Sequence, residues 1–461
     1  MSAVSPARRA AFEVLRRTFE HDAWTDRALV AAVARHELDA RGRAHAQRLA
    51  YGAVQRRGSA DHLVGELSRR AVDDLDAPVV AALRLGLYEL VWSGGTPGYA
   101  AVDQAVELAK GGLAAAGVGR GRARAAAGLV NAVLRRAAAE ADAILASVDE
   151  RTPEGAAIRH SYPAWLAELW WRERGADDAL SLMRAMNSPA ETALRVNTLR
   201  ADPERLVSEL RAGGVEVDGP LGGDDPLRPR DALVVRGALG EAIAPRISLG
   251  ELVPQSRGSQ AVLALLDPRP DERVLDLCAG PGIKTTGIAA RMDDRGEVVA
   301  VELDPGRAAQ VADRCGLTGA SSVRVEIADA TVAELGSGYD RVLVDPPCSD
   351  LGTLASRPDA RWRKSPEAVT RLAELQRTIL ARGAAALRPG GTLVYATCTL
   401  SRRENEDVAT AAATERGLEV DDLGGRHPQL ACAGDTRFLE LRPDRHGTSG
   451  FFVARLRRAA A

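Results

Sequence analysis

Lysine is almost missing from this 461-residue chain: of 61 basic residues only Lys110, Lys284 and Lys364 are lysine. With Ala and Gly so abundant, that reads as coding bias. Arginine counts therefore carry little information, and a retained lysine carries more. Long apolar runs are also missing. None approaches the about 18 residues that a membrane-crossing helix needs, and MSAVSPARRAAFEVLRR at the start has no apolar core of signal-peptide length. Neither a transmembrane segment nor a secretory signal is expected. Cysteine is scarce, with five residues, an odd number, and no CxxC pair. That spacing argues against a disulfide framework and against a zinc site. It fits a reducing cytoplasm, where thiols stay available for chemistry. Net charge is nearly missing too, at −2, but it is unevenly spread. Residues 1–136 hold 20 Lys/Arg against 14 Asp/Glu, a net +6, which leaves −8 for the remainder. A basic N-terminal part points to an anionic partner.

What is present divides the chain. Its length exceeds that of one typical domain. Residues 1–137 place apolar residues at three- and four-residue spacing, as in AAFEVLRRTF and APVVAALRLGLYELVW, which predicts an all-α domain. Ser5-Pro6 is a helix start. GGLAAAGVGRGRARAAAG, 111–128, is Gly- and Arg-rich and reads as a mobile interruption. Residues 138–160 read as a linker helix or spacer. Residues 161–245 mix helical WLAELWWRER with β-like ETALRVNTLRA and DALVVRGAL, which predicts a small α+β module. From 246 to 461, strands alternate with helices, and this predicts a mostly parallel, doubly wound α/β domain.

That last domain holds the chemistry. In VLDLCAGPGIKTT an apolar strand gives way to a glycine turn that opens a helix. Gly280 and Gly282 allow close backbone approach to a ligand. Glu302 ends the next strand, 20 residues beyond Gly282, where an acid can take both ribose hydroxyls of a nucleotide-like ligand. Asp329, after the third strand, is placed to accept from an adenine amino group. GxGxxG is absent, which disfavours a dinucleotide. Asp345-Pro346-Pro347-Cys348 follows a fourth strand. An aromatic residue in place of Cys348 would suit methylation of an exocyclic amine, whereas a thiol can add to a pyrimidine ring. Carbon 5 of cytosine is a poor nucleophile until a thiolate adds to carbon 6 and makes an enamine. A second thiol can then help to expel the first. Cys348 and Cys398, both at strand ends, meet that need. Cys278 and Cys315 read as small buried hydrophobes.

The ordered set CAGPGIKT, DPPCSDLGT and TCTLSRRENE resembles motifs I, IV and VI of the RNA 5-methylcytosine methyltransferases. RLAYGAVQR, PGYAAVDQAVELAK and GLVNAVLRR resemble a NusB-like RNA-binding domain. Together they resemble the RsmB (Sun, Fmu) family over essentially the whole chain. The resemblance implies a NusB-like domain, a small RNA-binding or substrate module, and a Rossmann-like methyltransferase domain using S-adenosylmethionine. It implies Cys398 as nucleophile, Cys348 as an aid to product release, and Asp345 beside the cytosine edge. It implies cofactor contacts from Cys278, Ala279, Gly280, Pro281, Gly282, Ile283, Lys284, Glu302, Asp329 and Asp345. The implied partner is small-subunit ribosomal RNA, with a monomeric enzyme, no metal and no membrane. Three departures stand out. Ile283 replaces the usual Gly or Ser, Asp350 a common Gly, and Arg402-Arg403 a Pro/acidic pair. A NusB-type factor with a vestigial enzyme domain, or action on transfer RNA, remain alternatives. SRPDARWRK, 356–364, and GRGRAR, 119–124, are candidate contacts to RNA phosphates, with Trp362 as a stacking platform.

Overall fold

The computed structural model describes residues 4–460 except 96, 221, 223–224 and 238–241. The first residues, parts of the loop-rich run 213–231 and the end of DALVVRGAL thus lie outside the described residues. The chain forms two units. One comprises residues up to Ser188 together with Leu354–Arg363, and the other comprises Pro189–Thr353 with Lys364 onward.

The first unit is helical among its described residues. Ser5 caps Pro6–Glu20, its side chain accepting from the Arg8 N–H. Further helices span Thr25–Arg35, Ala40–Gln55, Arg57–Ser68, Ala77–Leu87, Gly98–Ala115 and Arg120–Ser147. Leu15, Leu49, Leu63, Leu83, Leu113 and Leu134 meet in one core. Here the sequence reading needs correction. The Gly/Arg stretch 111–128 is helical apart from a short break at 116–119, because its alanines favour helix strongly enough to outweigh its glycines. Helix Arg120–Ser147 runs without interruption through the expected boundary at 137, with Leu134, Ala137, Ala141 and Leu145 buried along one face. Helices Ala164–Arg174 and Ala176–Ala185 also lie in this unit. Trp170 is fully buried there, edge-on to Tyr162 at 5.6 Å.

Leu354–Arg363 is the larger correction. Arg361 is fully buried, donating to Ser161 O (2.9 Å) and Asn187 Oδ1 (3.0 Å) with its guanidinium 4.1 Å over the Tyr162 ring. The Trp362 indole N–H donates to Val54 O at 2.8 Å, and the Thr25 N–H donates to Asp359. Arg363 bonds Asp22 and Ala23. These side chains fasten the segment into the helical unit and do not form a solvated nucleic-acid loop.

The second unit has two sheets. Thr192–Val196 (β1), Val217–Asp218 (β2), Ala232–Val235 (β3) and Leu252–Pro254 (β4) pair antiparallel in the order β2-β3-β1-β4. β4 lies beyond the expected limit at 245, because the small sheet takes it as an edge strand. Helix Pro203–Ala212 packs on this sheet through Leu206 and Leu210. The large sheet contains Arg273–Leu277 (β5), Glu297–Glu302 (β6), Val323–Ile327 (β7), Tyr339–Val344 (β8), Leu387–Thr397 (β9), Leu418–Val420 (β10), Leu439–Leu441 (β11) and Phe451–Arg458 (β12). Its order is β10-β12-β9-β8-β5-β6-β7, with β11 beside β12. β9, β8, β5, β6 and β7 pair parallel, whereas β12 pairs antiparallel with β9, β10 and β11. Buried side chains on alternate positions feed both faces: Leu275, Val299 and Val342 on one, Val274, Val298 and Leu343 on the other. The chain leaves β5 toward β6 on one side and later returns as β8 on the other. The carboxyl ends of β5 and β8 therefore form a topological switch point, where ligands bind in such sheets.

Candidate active site

The glycine turn is built at that switch point. After β5 the backbone takes left-handed angles at Cys278 (φ 64°), Gly280 (φ 58°) and Gly282 (φ 83°), and helix Ile283–Arg291 begins. At Gly282 a Cβ would also lie 3.1 Å from Val311 Cα, so close packing and backbone angle both require glycine. The next strand braces the turn. Buried Glu302 accepts the Gly280 N–H on Oε2 (2.9 Å) and the Asp304 N–H on Oε1 (3.0 Å). Each carboxylate oxygen has a second lone pair for a ligand hydroxyl. Asp329, just beyond β7, accepts from the Thr331 hydroxyl (2.7 Å) and N–H (2.9 Å), bonds that hold its carboxyl below the usual range. A turn opened at Gly280 and Gly282 and two acids at neighbouring strand ends fit the polar groups of S-adenosylmethionine.

Asp345, following β8, takes the Lys284 ammonium at 2.5 Å. Burial lowers the Lys284 pKa, but the Asp345 charge and hydrogen bond outweigh it and hold the ammonium above its ordinary value. Asp276, inside β5, is fully enclosed and accepts from the Thr285 hydroxyl at 2.7 Å. Burial pushes its carboxyl up to about 7. Cys278 is silenced by burial and then by the charges of Asp345 and Asp276, which push its thiol up. Burial also raises Cys315, to about 11, and Cys432.

The two remaining cysteines meet. β8 and β9 are parallel neighbours, and their carboxyl ends carry Cys348 and Cys398 with sulfurs 3.3 Å apart. Cys398 donates to Asp350 Oδ1 at 3.2 Å. Its hydrogen bond with Cys348, its burial and the charges around it hold the Cys398 thiol well above its ordinary value. Asp350 adopts φ 60°, which explains why glycine suits this position and why Asp is among the few residues that tolerate it. Lys364 donates to Cys348 O (3.3 Å) and lies 3.6 Å from Asp350 Oδ2. Two of the three lysines therefore flank the thiol pair.

What fixes both cysteine loops is a buried clamp from Glu404 and Asn405. The Ser349 N–H donates to Glu404 Oε1 at 2.9 Å, and the Ser349 hydroxyl bonds its other oxygen. Gln376 links Glu404 to Pro347 O, at 3.0 Å each. Asn405 accepts from Thr397 Oγ1 (2.6 Å) and donates to Thr399 O (3.1 Å). The sequence reading gave these two residues no role. The nearest signal was an acid and an amide in an otherwise charged, exposed-looking SRRENED.

Residues 263–457 match the family model of the 16S rRNA methyltransferase RsmB/F, residues 5–139 that of the NusB family, and residues 162–223 the ferredoxin-like domain of RsmF/B-like methyltransferases. The chain is 34% identical to the ribosomal RNA small subunit methyltransferase B of Thermus thermophilus over 435 residues, 93% of this chain and 92% of that protein. The crystal structure of PH0851 aligns over 99% of both chains with a TM-score of 0.81 at 25% identity. The structure of NSun6 from Pyrococcus horikoshii, solved with the S-adenosylmethionine analogue SFG, aligns over 66% of this chain and all of that one with a TM-score of 0.56 at 23% identity, a likeness of fold. Since domain order, fold and near full-length identity agree, the chain belongs to the RsmB family of S-adenosylmethionine-dependent ribosomal RNA methyltransferases.

Proposed function

We propose that this protein methylates carbon 5 of a cytosine in small-subunit ribosomal RNA, in the cytoplasm, through a transient bond between Cys398 and carbon 6 of the ring. The observation that carries this reading is the thiol pair itself: two sulfurs 3.3 Å apart at the ends of adjacent parallel strands, beside Asp345 and the glycine turn.

Residues 278–284 with Glu302 and Asp329 hold the cofactor. Asp345 lies where the pyrimidine edge enters and hydrogen-bonds it, with Lys284 balancing its charge. Cys398 gives up its thiol proton to solvent water, against the surroundings that favour the neutral thiol, and its sulfur pair forms the bond to carbon 6 while the C5–C6 π pair moves toward carbon 5. When bound, S-adenosylmethionine supplies an electrophilic methyl group that this activated carbon accepts. The carbon-5 proton then passes to water, the C–H electron pair it leaves restores the C5–C6 double bond, the C6–S bond breaks, and that bond's electron pair leaves with the Cys398 sulfur. The Cys348 thiol is near enough to assist this last step. Because a stacked base hides carbon 6, an unpaired or flipped-out cytosine is the expected substrate. The basic helical domain, residues 1–137, recruits the RNA.

The direct test is nucleoside mass spectrometry of ribosomal RNA incubated with enzyme and methyl-labelled S-adenosylmethionine. Label in 5-methylcytidine from small-subunit RNA is expected. Label confined to another nucleoside, or to transfer RNA when both are offered, would refute the assignment.

A further inference from the structure

Cys348, Cys398 and Asp350 come together in a way that the methyl-transfer reading does not use. One donor atom from each lies within 4.8 Å of the others. Zinc bonds thiolate at about 2.3 Å and carboxylate at about 2.0 Å, so tetrahedral zinc holds two sulfurs about 3.8 Å apart and a sulfur and an oxygen about 3.5 Å apart. The observed separations are 3.3 Å between the sulfurs and 3.2 Å from Cys398 Sγ to Asp350 Oδ1. Small outward shifts of these side chains would admit the ion. The two Asp350 oxygens divide the work, since Oδ1 faces the thiol and Oδ2 faces Lys364 at 3.6 Å. A ligating Oδ1 would thus keep a cation on its other oxygen that fixes its direction, as carboxylate ligands require. Both cysteine loops are already immobilised by Glu404 and Asn405, so little ordering is lost on binding.

We propose that Cys348, Cys398 and Asp350 form a binding site for a soft divalent cation, zinc in the first instance, with a fourth coordination position open. Binding releases the two thiol protons to solvent and involves no electron transfer. The ion would occupy both sulfurs, so metal and target base would exclude each other and methylation would stop reversibly. The binding itself is independent of the proposed reaction. The inhibition rests on the reading of Cys398 as nucleophile.

Cobalt(II) is the probe, added to full-length protein under reducing conditions, with zinc as competitor. One cobalt per chain with a near-ultraviolet thiolate charge-transfer band is expected, and zinc should abolish the band. Cys348→Ser and Cys398→Ser, checked for fold by S-adenosylmethionine binding, should lose it. Asp350→Gly relieves the left-handed backbone and should bind cobalt at least about tenfold more weakly. It should also keep its methylation rate at a zinc concentration that stops the wild type. A wild type without the band, or an Asp350→Gly variant as zinc-sensitive as the wild type, would overturn the site. Should Cys398→Ala still methylate RNA, the nucleophile reading fails, while the cobalt band separately decides the metal site.

Discussion

At the scale of single residues, the two thiols that the fold brings together were readable and the groups that support them were not. Cys348 and Cys398 announce themselves because a thiol between Pro and Ser, or between two threonines, at the end of an apolar run has no packing reason to be there. Glu404 gives no such signal. A buried acid and an exposed acid have the same letter, and only the fold shows that Ser349, Gln376 and Thr399 converge on it. Glu404→Ala leaves the Ser349 N–H and one N–H of the Gln376 amide buried without an acceptor. That should cost about 2–4 kcal/mol of stability and most of the methylation rate, as chemical unfolding and a methyl-transfer assay would show. Asp276 was equally hidden. Its folded-state pKa of about 7 lies above its ordinary 3.8, so the folded chain holds this proton more tightly than the unfolded one. Its contribution to stability is therefore present at low pH and is lost as pH rises through that window. Between pH 5 and 7 the loss should be roughly 2–3 kcal/mol. Asp276→Asn removes it, so the variant should gain on the wild type as pH rises, measured by paired unfolding at the two pH values.

At the scale of elements, period and turn chemistry predicted most strands of the large sheet, because β5, β6, β7 and β8 each end at or just before a glycine turn or an acid that also builds the site. The misreadings share one cause. Local composition cannot say which surface an element is pressed against. GRGRAR resembles a loop by its glycines but enters a helix from Arg120 that Ala123 and Ala125–Ala127 favour, and SRPDARWRK resembles an RNA-binding loop but is fastened into the helical unit by Arg361, Trp362 and Arg363. If Trp362 packs rather than stacks, Trp362→Ala should destabilise the helical unit by about 3 kcal/mol. RNA affinity of the folded variant should remain within about twofold. A large affinity loss with unchanged thermal stability would restore the stacking role. Left after this correction are the arginines at the start of helix Arg120–Ser147, which are exposed.

At the scale of the whole molecule, the division into a basic helical part and an acidic α/β part was visible in charge alone, whereas the chain's path was not. Leu354–Arg363 belongs to the helical unit although its neighbours in sequence carry the active site, and no sequence pattern marks such an excursion. If the helical unit recruits RNA through phosphates, replacing Arg120, Arg122 and Arg124 by glutamine should weaken RNA binding and flatten its dependence on salt. Binding of S-adenosylmethionine should be unaffected, and filter binding at several salt concentrations beside calorimetry reads both. Everything then converges on one event, the bond between protein and RNA. Full-length wild type, Cys398→Ala and Cys348→Ala are each incubated with ribosomal RNA and S-adenosylmethionine and run on a denaturing gel. The account predicts a slow protein–RNA band carrying 5-methylcytosine in Cys348→Ala, where release fails, and neither band nor product in Cys398→Ala. A stalled band in Cys398→Ala with none in Cys348→Ala would exchange the two roles, and product formed at the wild-type rate by Cys398→Ala would contradict the account outright.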